Sequence, residues 1–472
     1  MREAKLSVKG IGWRDLTGLR KRFRLGELIR SRPFFGSSNR ENLFPQPRVP
    51  SQRRIESDSS IAISTSRGVG WSDSRTLSSV LNVSMQLPKG FRFAGVHCGL
   101  RASEPGRLDL ALIVSDMPAA AAGVFTQNRV AAAPVHVCKE RLPRNDARGI
   151  VICSGNANAC TGEQGMNDAR RMTELAAKEI GCSPAQMLVA STGVIGRLLP
   201  MMVFESGIPA AAKKLGPDLA AFEAAATATL TTDTRIKTAS RQVGPHVVAG
   251  FAKGAAMIGP NMATMLGFVL TDAPIRADDL QTILRRAVET SFNCISVEGH
   301  TSTNDTVLIL ANGSGSPLAE LASFDLAVQE VCAELARGIA ADAEGANHLV
   351  TIDVEGCRSD ADAKKIAKTI AESALVKSAI YGADPNWGRF VSAAGYSGVE
   401  FEEADLSCWM GPFELYRAGV PLPFDAKAAS AYLKDNREVH LRLLLTLGEG
   451  KCRFYTCDLT PEYVRLNADY TT

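Results

Sequence analysis

From Met85 onward the chain alternates between two hydrophobic patterns. Short apolar runs such as Gly149-Ile-Val-Ile-Cys153 read as buried strands, and segments with an apolar residue every three to four positions read as amphipathic helices. One helix is predicted from about Gly162 to Ile180, with Ala169, Met172, Ala176 and Ile180 on one face, Thr161 and Gln164 in capping-box register, and Gly181 as its stop. A second follows Asp278 and Asp279 and buries Leu280, Ile283, Leu284, Ala287 and Val288. Near the C-terminus, Val439, Leu441, Leu443 and Leu445 alternate with other residues before Gly448-Glu-Gly450, and Cys452, Phe454 and Thr456 alternate after it; this predicts a β-hairpin. Strands mixed with helices indicate an α/β or α+β fold, and no internal repeat of fixed period is present.

Residues 1–84 break this pattern. They are rich in Arg and Ser, lack a sustained apolar period, and contain runs such as Ser51-Gln-Arg-Arg and Ser57-Asp-Ser-Ser. They are expected to lie outside the folded core, as an organelle transit segment or as non-native sequence upstream of a start at Met85. The seven acidic residues among them favour the second reading. On that reading the protein is cytoplasmic; a transit segment would direct it to a mitochondrion or plastid.

Composition narrows the function classes. At 45 % hydrophobic and 22 % charged residues with a formal charge of +3, the chain is an ordinary globular protein, and basic residues past position 90 are interspersed with acids, which gives no reason to expect a nucleic-acid partner. The eleven cysteines show no CxxC pair and no paired His spacing, so neither a disulfide framework nor a structural zinc site is expected. The apolar window Leu108 to Val124 is interrupted by Asp116 and Pro118, short of the roughly 18 unbroken residues that a membrane span needs.

The segment Lys253-Gly-Ala-Ala-Met-Ile-Gly-Pro-Asn-Met-Ala-Thr264-Met-Leu-Gly-Phe-Val-Leu-Thr-Asp272 leads from a turn directly into an apolar run headed by a threonine. Taken alone, that threonine is a β-branched residue in its preferred place. The functional alternative is that its hydroxyl attacks the preceding carbonyl, and an N-to-O acyl shift followed by hydrolysis frees Thr264 as a new chain end. Such a residue carries its own base, because a free α-amine has a pKa near ~8 and can accept the hydroxyl proton during attack on an acyl donor.

Around this segment the sequence resembles the ornithine acetyltransferase family, whose autocleavage motif reads much like Ala263-Thr264-Met265-Leu266. The resemblance covers residues 86–472 and includes Ser154-Gly-Asn-Ala-Asn-Ala-Cys-Thr-Gly162, Ser191-Thr-Gly-Val-Ile-Gly196, Thr231-Thr-Asp-Thr234, Thr301-Ser-Thr-Asn-Asp-Thr306 and Asp384-Pro-Asn-Trp-Gly-Arg389. It implies a two-domain, DmpA-like α/β fold cut between Ala263 and Thr264 into an alpha chain, 85–263, and a beta chain, 264–472, assembled as a heterotetramer of two of each.

The same resemblance implies Thr264 as nucleophile, Thr192 and Gly193 as oxyanion hole, and Thr231, Lys253, Thr264, Glu344, Asn467 and Thr472 as substrate contacts; Thr232 is the alternative to Thr231. The residue types suit an amino-acid substrate, since a lysine pairs with a carboxylate and a glutamate with an ammonium. Without the resemblance each reads more plainly: Thr-Gly as a tight turn, Lys253 as solvated, Glu344 as part of a polar turn, and the C-terminal Asn and Thr as frayed. His300 stands where the family commonly has an acidic residue, and none of the six histidines is given a catalytic role.

The implied reaction moves acetyl from N-acetylornithine to Thr264 and then to glutamate, with acetyl-coenzyme A as a further possible donor and no metal or other cofactor. Two other readings stand beside it: an N-terminal-nucleophile amidohydrolase or aminopeptidase, which would turn over independently of glutamate, and a ligand-binding protein, which would remain one intact chain.

Overall fold

The period-two runs pair into two sheets. The computed structural model describes residues 85–259 and 265–469. Ala263, Thr264, Thr472 and residues 1–84 therefore lie outside the described residues. The first sheet contains β1 (Phe91–Val96), β2 (Leu110–Phe125), β3 (Arg144–Asn156), β4 (Met187–Val194), β5 (Lys237–Val243), β6 (His246–Lys253), β7 (Leu266–Thr271) and β8 (Thr306–Ala311). Their order is β4-β3-β2-β8-β7-β6-β5, with β1 on β2. The second sheet contains β9 (Leu349–Cys357), β10 (Ser407–Met410), β11 (Phe413–Arg417), β12 (Val420–Pro421), β13 (Glu438–Leu444) and β14 (Gly450–Cys457), in the order β12-β11-β10-β13-β9-β14. Both sheets belong to one compact unit.

The first sheet is covered on both faces, which explains its nearly continuous apolar strands. Along β7 and β8, Leu266, Phe268, Leu270, Leu308 and Leu310 face one core, shared with helices Gly162–Ile180, Met201–Lys213 and Leu219–Thr227. Val269, Val307 and Ile309 face the other, shared with helices Ala277–Glu289 and Leu321–Ala341. A row of edge-on rings crosses the first core, Phe93 to Phe222 at 5.2 Å and Phe222 to Phe251 at 5.3 Å between centroids. The second sheet packs one face on helices Asp360–Glu372, Ala374–Tyr381, Trp387–Gly395 and Ala426–Asp435 around a third core. Among the described residues no helix is long and apolar enough to cross a membrane. The Asp116–Pro118 break in the Leu108 to Val124 window is a change of partner within β2: its first half pairs with β1 and its second half with β8.

The helix at Gly162–Ile180 has the predicted bounds, with Thr161 at its N-cap and Gly181 left-handed at φ 74°. The capping box does not form. Thr161 donates to Asn158 Oδ1 at 2.8 Å and Gln164 to Asp168 Oδ1 at 2.7 Å, so both side chains are engaged elsewhere. The helix at Ala277–Glu289 buries all five predicted residues.

The predicted C-terminal hairpin is incorrect. β13 and β14 do not pair with each other; β9 lies between them, parallel to β13 and antiparallel to β14, with Ile352 opposite both Leu441 and Phe454. The alternation is the same for two strands in a hairpin and for two strands flanking a third. The glycines there serve close crossing over the end of β9: a Cβ on Gly448 would lie 2.7 Å from the Cys357 carbonyl oxygen, and one on Gly450 2.3 Å from the Ser359 carbonyl carbon.

Candidate functional site

The site forms where loops at the ends of β3, β4 and β6 meet the approach to β8. β3 and β4 run parallel, and Gly155 lies opposite Gly193. Gly193 has φ 130°, and a Cβ there would fall 2.3 Å from the Gly155 carbonyl carbon, so only glycine permits this approach. Thr192 beside it is buried. Asn304 ties the strand ends together: its amide donates to the Ala157 carbonyl at 2.6 Å and the Ser191 carbonyl at 2.8 Å, while the Ser191 hydroxyl donates to Ala157 O at 2.6 Å. A buried network with every group bonded rigidifies its neighbours.

Lys253, the last residue of β6, is 2 % exposed, against the solvated default for a lysine in a loop-proximal position. Its ammonium donates to the Thr231 hydroxyl at 3.3 Å. Burial pushes its pKa down, while the charges of Asp233 and Asp305 push it up and those of Lys237 and Arg101 push it down. Asp233 organises this corner, accepting the Thr231 N–H at 3.1 Å and the Gly254 N–H at 2.6 Å and pairing with Lys237. Lys237 also pairs with Asp342 at 2.6 Å. Burial works against the charged form of Asp233, but Lys237 and Lys253 outweigh it and hold the carboxyl at about 2.

On the opposite wall, the Glu344 N–H donates to the Ala255 carbonyl at 2.9 Å. The next residue, Gly345, has φ 68°, and a Cβ there would meet the Tyr463 nitrogen at 2.6 Å; the Thr460 hydroxyl donates to Gly345 O at 2.6 Å. These contacts seat the C-terminal helix Pro461–Asp469 and bring Asn467 beside Glu344. Burial raises the Glu344 pKa above the usual carboxylate range, opposed by the Asn467 amide and aided by the charge of Asp233.

The chain on either side of positions 260–264 is anchored. Before them, the Ile258 carbonyl accepts the Val297 N–H at 2.8 Å, and the Ile258 N–H donates to the Glu298 carboxyl, which burial pushes up to about 8. After them, the Met265 N–H donates to Asp305 Oδ1 at 3.2 Å. Asp305 is wholly buried, which drives its carboxyl well above the usual range.

Thr192, Gly193, Thr231, Lys253, Glu344 and Asn467 thus line one cleft, together with Thr232, Met257 and Asn304. Thr264 and Thr472 fall outside the described residues. Both candidate threonines, 231 and 232, line the cleft; Thr231 is the one bonded to Lys253. His300 is exposed. The residues without an assigned sequence role are Asp233, Lys237, Asp342, Asn304 and Asp305. Asp233, Asn304 and Asp305 sit inside the recognised blocks, but only the fold shows what they bond. Among the described residues no group of His, Cys, Asp or Glu could hold a metal ion.

The model of the ArgJ family matches residues 92–472. The chain belongs to the ArgJ family. Family members similar to it include the arginine biosynthesis bifunctional protein ArgJ of Geobacter sulfurreducens, 46 % identical over 395 residues that cover 81 % of this chain and 99 % of that protein. The protein of the same name from Rhodopirellula baltica is 47 % identical over 397 residues, covering 82 % and 96 %. A crystal structure of the ArgJ protein of Bacillus halodurans matches at 42 % identity and a TM-score of 0.43, covering 44 % of this chain and 100 % of that one.

Proposed function

We propose that this chain is a glutamate N-acetyltransferase of arginine biosynthesis, which transfers acetyl from N2-acetylornithine to glutamate through an ester on Thr264. One observation carries the reading. Six residues chosen from the sequence, in segments as distant as Thr192 and Asn467, line a single cleft bounded by the chain just before position 260.

The Thr264 hydroxyl attacks the Ala263 carbonyl, the peptide C–N bond breaks, and water hydrolyses the resulting ester. This leaves a carboxylate on Ala263 and a free amine on Thr264. The same hydroxyl then attacks the acetyl carbonyl while the amine takes its proton, and the negative charge on the carbonyl oxygen rests on the Thr192 hydroxyl and the Gly193 N–H. The amide C–N bond breaks and ornithine leaves with the proton on its amine. The amine of glutamate attacks the acetyl-threonine ester, and the Thr264 oxygen departs. Lys253 and Thr231 receive the substrate carboxylate, Glu344 faces an ammonium group, and Asn467 and Thr472 complete the contacts. The alpha chain, 85–263, and the beta chain, 264–472, remain together as two of each. The relatives' name as bifunctional proteins supports acetyl-coenzyme A as a second donor to the same threonine.

The test is release of ornithine from N2-acetylornithine with and without glutamate. Transfer predicts turnover that rises steeply with glutamate and N-acetylglutamate as product. Thr264→Ala is expected to stay one chain and to lose turnover by at least about a thousandfold. Glutamate-independent release, with acetate as product, would instead identify a hydrolase.

A further inference from the structure

We infer that Asp233 is the positioning residue of the carboxylate-binding corner: its single buried carboxylate fixes the Thr231 loop to the end of β6, beside the Lys253 ammonium, so that Thr231 and Lys253 together receive the α-carboxylate shared by acetylated donor and glutamate acceptor. The inference rests on the transferase reading of the cleft and assigns a role to a residue that does not line it.

The geometry is specific. Two backbone N–H groups from different segments, Thr231 at 3.1 Å and Gly254 at 2.6 Å, converge on Asp233, one on each oxygen. The first belongs to the residue whose hydroxyl accepts from Lys253, and the second belongs to the residue that follows Lys253. The Asp233 side chain is 0 % exposed, so solvent and salt do little to screen its charge from Lys253. Lys237 neutralises part of it but is shared with Asp342.

The charged groups that act on Lys253 come from four elements: Asp233 in the loop before β5, Lys237 in β5, Asp305 just before β8, and Arg101 in the loop after β1. Burial, Lys237 and Arg101 disfavour the ammonium; Asp233 and Asp305 favour it. Burial pushes the Asp305 carboxyl well above the usual range, whereas Lys237 and Lys253 hold Asp233 at about 2, so Asp233 is ionised at neutral pH. Glu344, across the cleft, feels Asp233 as repulsion. Removing the Asp233 charge lowers the Lys253 pKa further, and carboxylate binding, which needs the ammonium, is lost as pH rises through that pKa. The alkaline limb of kcat/KM must therefore move to lower pH.

The experiment measures kcat and KM for both substrates across pH 6–10 in Asp233→Asn and Asp233→Glu, each confirmed by mass to have the same processing as the wild type. Asp233→Asn is expected to lower the alkaline limb by about one pH unit and to raise KM for donor and acceptor alike by about tenfold, with kcat changed less than about threefold. Asp233→Glu keeps the charge and the limb but raises KM, because one more methylene displaces the two N–H contacts. An unmoved limb in Asp233→Asn, or an unchanged KM in Asp233→Glu, overturns the inference; the second result does so even if the Asn variant fails to fold. Absence of glutamate-dependent transfer in the wild type would instead remove the functional reading beneath it.

Discussion

At the residue scale, the proposed oxyanion hole depends on one position where a methyl group has no room. Gly193 combines φ 130° with a backbone 2.3 Å from where a Cβ would lie. Gly193→Ala must part β3 from β4 or rotate the 192–193 peptide, and either change removes the donors from the developing charge. Losing one such donor costs on the order of 10²-fold in rate, so kcat for acetyl transfer is expected to fall by about a hundredfold or more; a wild-type kcat would take Gly193 out of the oxyanion hole. Thr192, Gly193 and Thr231 were legible because they lie in recognisable blocks. The burial of Lys253 was not. A lysine reads as solvated until its neighbours are known, and Asp233 and Thr231 reach it only through the pairing of β5 with β6 and the return of the preceding loop. Asn304 was equally silent, since its two strongest contacts lie 147 and 113 residues away in sequence.

At the element scale, local rules succeeded where one element decides its own pattern. The helices Gly162–Ile180 and Ala277–Glu289 follow from the spacing of their buried residues, whatever they pack on. Strand pairing is different, because alternation records which face is buried and not which strand is adjacent. Leu441 and Phe454 alternate correctly, yet both pair across to Ile352. The inserted strand is crossed at Gly356, near the end of β9: it has φ 76°, and a Cβ there would lie 1.8 Å from the Leu445 carbonyl oxygen. The connection from β13 to β14 crosses β9 at that point, with the Leu447 N–H donating to Gly356 O at 2.8 Å. Gly356→Ala is expected to destabilise the protein by about 2 kcal/mol or more, from strain and from displacement of this crossing. Urea unfolding measures it; a midpoint unchanged from wild type would show that the crossing has slack the geometry denies.

At the scale of the whole molecule, strand order determines what cleavage before Thr264 would do. β7 and β8 lie after the cut in sequence, but in the sheet they are flanked by β6 on one side and β2 on the other, both from before it. β6–β7 and β2–β8 are full antiparallel ladders, running from Val248 opposite Thr271 to Lys253 opposite Leu266, and from Ala120 opposite Ala311 to Phe125 opposite Thr306. The two cores on this sheet also draw residues from both sides of the cut. Separating the pieces would expose both cores, so the two chains should stay together until the fold is denatured. The account therefore stands on one covalent fact, and intact-mass measurement with N-terminal sequencing of the purified, denatured protein tests it most directly. The predicted result is two chains, one of them beginning at Thr264. A single polypeptide continuous through Ala263 and Thr264 that still exchanges acetyl groups would contradict it.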